Sequence, residues 1–162
     1  MSELMERLRR VKENRGLMAD LRCYLVAGKR HRAWPALSRL NIPIGDENKS
    51  MVAALFATHP EEGGQGNLGA TCRLIEKKKD GGSGDDKLSP TERRFQHLLA
   101  AEVGQELFDR VTRMILLAKS QGIPVNYGKL ENDLHFWNDR TRREWASSFW
   151  TPYAVTQEGG QS

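Results

Sequence analysis

The stretch Gly104–Pro124, GQELFDRVTRMILLAKSQGIP, decides the fold class. Its apolar residues Leu107, Val111, Met114, Ile115 and Ala118 recur at three- and four-residue steps, the spacing that places side chains on one face of an α-helix. Gly122, Ile123 and Pro124 close the element, because glycine accepts the turn that ends a helix and proline cannot continue one. A long helix is therefore predicted to begin near Gly104 and to stop at Gly122. Leu17, Leu21, Tyr24 and Leu25 form a second such stripe, and Tyr127, Leu130, Leu134 and Trp137 a third. Runs of β-branched residues with period-two alternation are missing, so the expected fold is all α, built as two packed helical lobes without a sheet.

With 162 residues and 38% hydrophobic content, the chain has enough apolar surface for a packed core. Apolar runs such as Met114–Ala118 are far too short to cross a bilayer, and Met1–Lys12 alternates charged and apolar residues where a signal peptide needs an apolar core. The expectation is a soluble, cytoplasmic protein with no export signal. Cys23 and Cys72 stand alone, with no CxxC or CxxH neighbour, and read as core or boundary thiols suited to a reducing compartment. No metal and no cofactor is expected.

Asp80–Leu88, DGGSGDDKL, buries no apolar surface and reads as a solvated linker. The expected organisation is an N-terminal helical lobe at 1–79, a linker at 80–89, a C-terminal helical bundle at 90–155 and a flexible tail at 156–162. Ser89-Pro90-Thr91-Glu92 carries an N-cap serine, a proline at the first helical position and a glutamate three residues after the cap, so a helix should start at Pro90. Asn126 is placed to cap the next helix, and Asn138 or Asp139 the last one. Most of Phe136, Trp137, Trp145 and Phe149 are expected to pack between the last two helices.

The net charge of +4 is unevenly spread. Residues 1–45 hold ten Lys/Arg against four Asp/Glu, and residues 46–65 hold one Lys against four acids. Such clustering suits a polyanionic partner, although many basic proteins bind none. Arg15, Arg22 and Lys29 are spaced by seven, which on one continuous helix makes a cationic stripe away from Leu17 and Leu21, extended by Arg30 and Arg32. Arg110 with Arg113 is a second candidate, and Arg140, Arg142 and Arg143 beside Trp145 and Trp150 a third. Phosphate contacts are expected at Arg15, Arg22, Lys29, Arg30, Arg110, Arg113, Arg142 and Arg143, without sequence preference. The plain alternative at each is a solvated helix face. Arg93 and Arg94 are left open: one faces solvent, while the other anchors the linker or an acidic partner helix.

Gly64-Gln65-Gly66-Asn67-Leu68-Gly69 matches GxGxxG, but no strand precedes it, so it predicts a loop leading into a helix from Leu68 to Lys78. His31, His59, His97 and His135 show no paired metal spacing, and Glu131 and Asp133, two apart, point different ways on a helix. No catalytic residue is assigned and the chain is not expected to be an enzyme. Two rivals stand beside nucleic-acid binding: a scaffold that meets acidic protein patches and never touches DNA, and an enzyme with a dispersed active site.

Several stretches resemble the CasB family, the small subunit of the type I-E CRISPR surveillance complex Cascade. They are Arg15–Arg22 (RGLMADLR), Arg93–Ala100 (RRFQHLLA) and, above all, Leu116–Tyr127 (LLAKSQGIPVNY). They continue through Leu130–Trp137 (LENDLHFW), Arg142–Ala146 (RREWA) and Phe149-Trp150. They fall in the family's order across most of the chain, whereas the acidic, glycine-rich Asp80–Leu88 departs from it. The resemblance implies an all-helical, non-catalytic subunit of a ribonucleoprotein, lying beside backbone and large subunits and a second copy of itself. It implies that basic surface residues hold target and displaced DNA strands and stabilise the R-loop in antiviral defence, while base pairing with the guide RNA (crRNA) supplies sequence recognition.

Overall fold

Most α-helix starts are written into the sequence as side-chain acceptors. The Asn14 side chain accepts from Leu17 N at 3.1 Å, Asp46 from Lys49 N at 3.1 Å and Asn138 from Thr141 N at 3.0 Å. Ser89 and Glu92 close a reciprocal capping box, with Ser89 Oγ accepting from Glu92 N at 3.1 Å and Glu92 Oε1 from Ser89 N at 3.0 Å. The computed structural model describes residues 3–80 and 88–151. The helices are α1 (Glu3–Arg10), α2 (Arg15–Arg22), α3 (Trp34–Arg39), α4 (Glu47–Thr58) and α5 (Leu68–Asp80), followed by α6 (Pro90–Leu99), α7 (Gln105–Ser120), α8 (Tyr127–His135) and α9 (Asp139–Trp150). Two 3-10 stretches, Cys23–Leu25 and Ala27–Ala33, join α2 to α3. Among the described residues there is no strand; one isolated parallel bridge pairs Glu62 with Val125. The all-α expectation holds.

The chain forms two compact units. The first takes residues 3–61 and 127–135 and is built round α4, whose Ser50–Ala57 segment is buried on every side. A helix without a polar face needs neighbours all round, and α1, α2 and α8 supply them. From α8, Tyr127 meets Phe56 edge-on at 5.6 Å and donates its hydroxyl proton to His59 O at 2.6 Å, so a large buried ring has its polar atom satisfied.

The second unit takes residues 62–80, 88–126 and 136–151, with α5 packed on α6, α7 and α9. Phe95 of α6 stacks on Phe149 of α9 at 4.6 Å, and Trp145 meets Trp137 at 4.8 Å. Asn67 Oδ1 accepts from Ala70 N at 3.1 Å at the start of α5, and Gly69 brings that helix against the Trp145 backbone, so the glycine-rich stretch is a helix entry, as its context predicts.

Two expectations meet a different structure. The helices on either side of the Gly/Asp-rich stretch, α5 and α6, share a unit, so the observed division falls at Glu61/Glu62 and at the two ends of α8. Composition signals solvation, whereas the contacts of α5 are set by its apolar face. Residues 81–87 of the expected linker, and the expected tail 156–162, lie outside the described residues. Second, the 15–22–29 stripe does not lie on one helix: α2 ends at Arg22, and Val26 is extended at φ −106°, ψ 113°. Of the four aromatics, Phe136 is 56% exposed, while Trp137, Trp145 and Phe149 are buried against α6 and one another.

Candidate nucleic-acid interface

In the first unit, Arg15 opens α2 exposed to solvent, and Arg22 closes it with its Nη1 donating to Ala57 O at 3.0 Å, near the C-terminal end of α4. That bond satisfies a carbonyl the helix end leaves open. Arg30 turns inward: its Nε donates to Tyr24 O at 3.0 Å and its guanidinium lies 5.0 Å from the Tyr24 ring centre. Lys29 and Arg32 remain exposed on the second 3-10 stretch.

A denser cationic site lies in the second unit. The apolar faces of α6 (Phe95, Leu98) and α7 (Leu107, Val111, Met114, Ile115, Ala118) turn to the core. This leaves Arg93, Arg94 and His97 of α6 and Arg110 and Arg113 of α7 lining one cavity of about 160 Å³, floored by Met114. Arg110 donates to His97 Nδ1 at 3.3 Å, so that ring nitrogen acts as the acceptor. Nη1 of Arg94 is buried with no hydrogen-bond partner among the described residues. Arg93 and Arg113 are exposed and make no ion pair among the described residues. Glu106 and Asp109 rim the adjoining cavity, yet each carboxylate is already engaged: Glu106 Oε1 accepts from Glu102 N at 2.7 Å and Asp109 Oδ1 from Gln105 Nε2 at 2.6 Å. Those bonds leave both carboxylates charged, so the four guanidiniums beside them keep a surplus of two positive charges, which suits a polyanion.

On α9 the arginines are differently occupied. Arg143 pairs with Asp139 at 2.8 Å and Arg140 with Glu144 at 3.7 Å, both exposed one-turn pairs. Arg142 is a strut: its Nη2 donates to Ala101 O at 3.1 Å, a carbonyl that also accepts from Trp137 Nε1 at 3.2 Å, and the guanidinium lies 5.3 Å from the Trp137 ring. Of the eight residues singled out in the sequence, the structure thus gathers Arg110 and Arg113, and it adds Arg93, Arg94 and His97 to them. In sequence Arg93 and His97 are one helical turn apart on the helix expected from Pro90, but nothing along the chain joins them to Arg110 and Arg113.

Burial raises the Cys72 thiol and the Tyr24 hydroxyl, and hydrogen bonds from the Ser89 backbone and then Trp150 lower Glu92. These groups sit on three different elements, and none lines the cationic cavity. No helix among the described residues is long and apolar enough to cross a membrane.

A family model, CRISPR-associated protein Cse2, matches residues 5–150. The chain belongs to the Cse2 family. Solved structures share the fold of this Cse2 chain. A Cse2-family CRISPR-associated protein from Thermus thermophilus superposes with a TM-score of 0.69 at 21% identity, covering 93% of this chain and 99% of that one. CasB from Thermobifida fusca gives 0.68 at 21% identity over 90% and 94%, and CasB from M. ruber 0.67 at 22% over 99% and 98%. No curated protein matches. The resemblance to CasB read from the sequence is thereby established, with its all-helical fold.

Proposed function

We infer that this Cse2-family chain is a non-catalytic subunit of a Cascade complex that stabilises the R-loop by binding DNA backbones without reading their sequence. The observation that carries this reading is the cavity lined by Arg93, Arg94, His97, Arg110 and Arg113, with one buried guanidinium nitrogen still lacking a partner among the described residues. Guanidinium forks match phosphate oxygens geometrically, and such contacts fix position without sequence information. Arg15, Arg22, Lys29 and Arg143 extend the proposed contacts over exposed surface. Arg30 and Arg142 act chiefly by holding Tyr24 and Trp137. The partners are the backbone and large subunits, a second copy of this chain, and the crRNA–target DNA R-loop, in the cytoplasm.

The test is target-duplex retention by a Cascade complex lacking its small subunit, to which this protein is added. Wild type should restore retention. Arg110→Glu with Arg113→Glu should lose it for unrelated target sequences alike, and Arg15→Glu with Arg22→Glu should weaken it. If both charge-reversed proteins restore retention as well as wild type, the chain acts as a protein scaffold and backbone binding is rejected.

A further inference from the structure

Ala27–Ala33 is a seven-residue 3-10 stretch, longer than such helices usually run. Three residues per turn divides it into three edges. Arg30 and Ala33 form the inward edge: Ala33 is fully buried, and Arg30 bonds Tyr24. Lys29 and Arg32 form a second edge, exposed and cationic. His31 and Trp34 form the third. Trp34 is 45% exposed, with the His31 ring 6.3 Å away at 75° to its plane. Isolated exposed apolar residues are ordinary on proteins, but this indole has the exposed cations Lys29 and Arg32 on the neighbouring edge of the same stretch. Between Asp20 and Asp46 the sequence holds Arg22, Lys29, Arg30, Arg32 and Arg39 and no acid.

We propose that Trp34, braced by His31 and flanked by Lys29 and Arg32, is a stacking platform for an unpaired base of single-stranded nucleic acid. An exposed ring offers its face to any base, and cations on the neighbouring edge take the adjoining phosphates; this combination favours single strands over duplexes, whose bases are already stacked. The platform rests on the nucleic-acid reading above and adds to it a preference for the unpaired strand. It uses residues of the first unit, apart from the α6–α7 cavity.

The full-length protein is titrated at low salt with labelled oligothymidylate and with a labelled duplex, as wild type, Trp34→Ala, Trp34→Phe and Lys29→Glu. Trp34→Ala should weaken oligothymidylate binding about tenfold and leave duplex binding within about twofold, in line with the loss of one stacked base. Trp34→Phe should retain most of the affinity, and Lys29→Glu should weaken both ligands. The thermal midpoint of Trp34→Ala should match wild type. Equal losses on both ligands, no loss on oligothymidylate, or no oligothymidylate binding by wild type would each overturn the platform. So would a Trp34→Ala protein that binds oligothymidylate normally but no longer joins Cascade, an outcome that assigns Trp34 to a protein contact. Failure of the platform leaves the R-loop assay with Arg110→Glu and Arg113→Glu unaffected, so the two readings fail separately.

Discussion

Glu92 ties together the start of α6 and the end of α9. Its Oε1 accepts from Ser89 N, its Oε2 accepts from Trp150 Nε1 at 3.0 Å, and Ser89 Oγ donates in turn to Glu76 at 2.6 Å. The bonds to Ser89 and Trp150 favour the charged carboxylate and hold its pKa below the ordinary 4.5. A depressed folded-state pKa contributes stability that is present above the unfolded value and is lost as pH falls through the folded one. Glu92→Gln keeps a capping-box residue but removes the charge that Ser89, Trp150 and the start of α6 favour, so it should lower stability at neutral pH by about 0.5 kcal/mol. The two proteins' urea midpoints should converge as pH falls below 4.5, where the wild-type carboxyl takes up its proton. A difference that stays constant into acid would mean that the charge contributes nothing.

At the scale of elements, α5 and α9 meet through a glycine. A Cβ on Gly69 would lie 2.1 Å from the Trp145 carbonyl oxygen and 2.8 Å from its carbon, atoms of a helix backbone that no rotamer change can move. Gly69→Ala should destabilise by about 2 kcal/mol in urea unfolding despite alanine's better helix propensity, because overpacking outweighs it. Gly16→Ala, whose Cβ meets nothing nearer than Asn14 Oδ1 at 3.8 Å, should be neutral or stabilise by about 0.5 kcal/mol. Elements with local signals were legible in the sequence: the capping box at Ser89, the close of α7 before Gly122 and the Asn138 cap depend on residues a turn apart. The break after Arg22 was not, since the apolar stripe runs on through Tyr24 and Leu25. Past Arg22 the backbone tightens into the 3-10 turn Cys23–Leu25 and becomes extended at Val26, with Arg30 folded back onto Tyr24. Phe136 is the one of the four aromatics that the packing leaves out, because it falls in the turn between α8 and α9.

For the whole molecule, a net charge of +4 says little, and the grouping of charges in space decides what the surface binds. Seven-residue spacing drew attention to residues 15–29, whereas the α6–α7 cluster joins arginines that are 16 or more positions apart between the two helices. That cluster needed the packing of two helices to exist, and no count along the chain reveals it. Its consequence is measurable in salt. Each phosphate neutralised on duplex DNA adds about 0.9 to the slope of log affinity against log salt concentration. Arg110→Ala with Arg113→Ala in the assembled complex should reduce the magnitude of that slope by about 2 on a duplex-contacting site, or about 1.4 if the phosphates belong to a single strand. Arg142→Ala should do the opposite: its guanidinium is engaged with Ala101 O and Trp137, so the protein should lose about 2 kcal/mol of stability while the slope stays put. Equal slopes for wild type and the Arg110/Arg113 variant would remove the cavity from the DNA path, and the size of any change identifies which form of DNA lies in it.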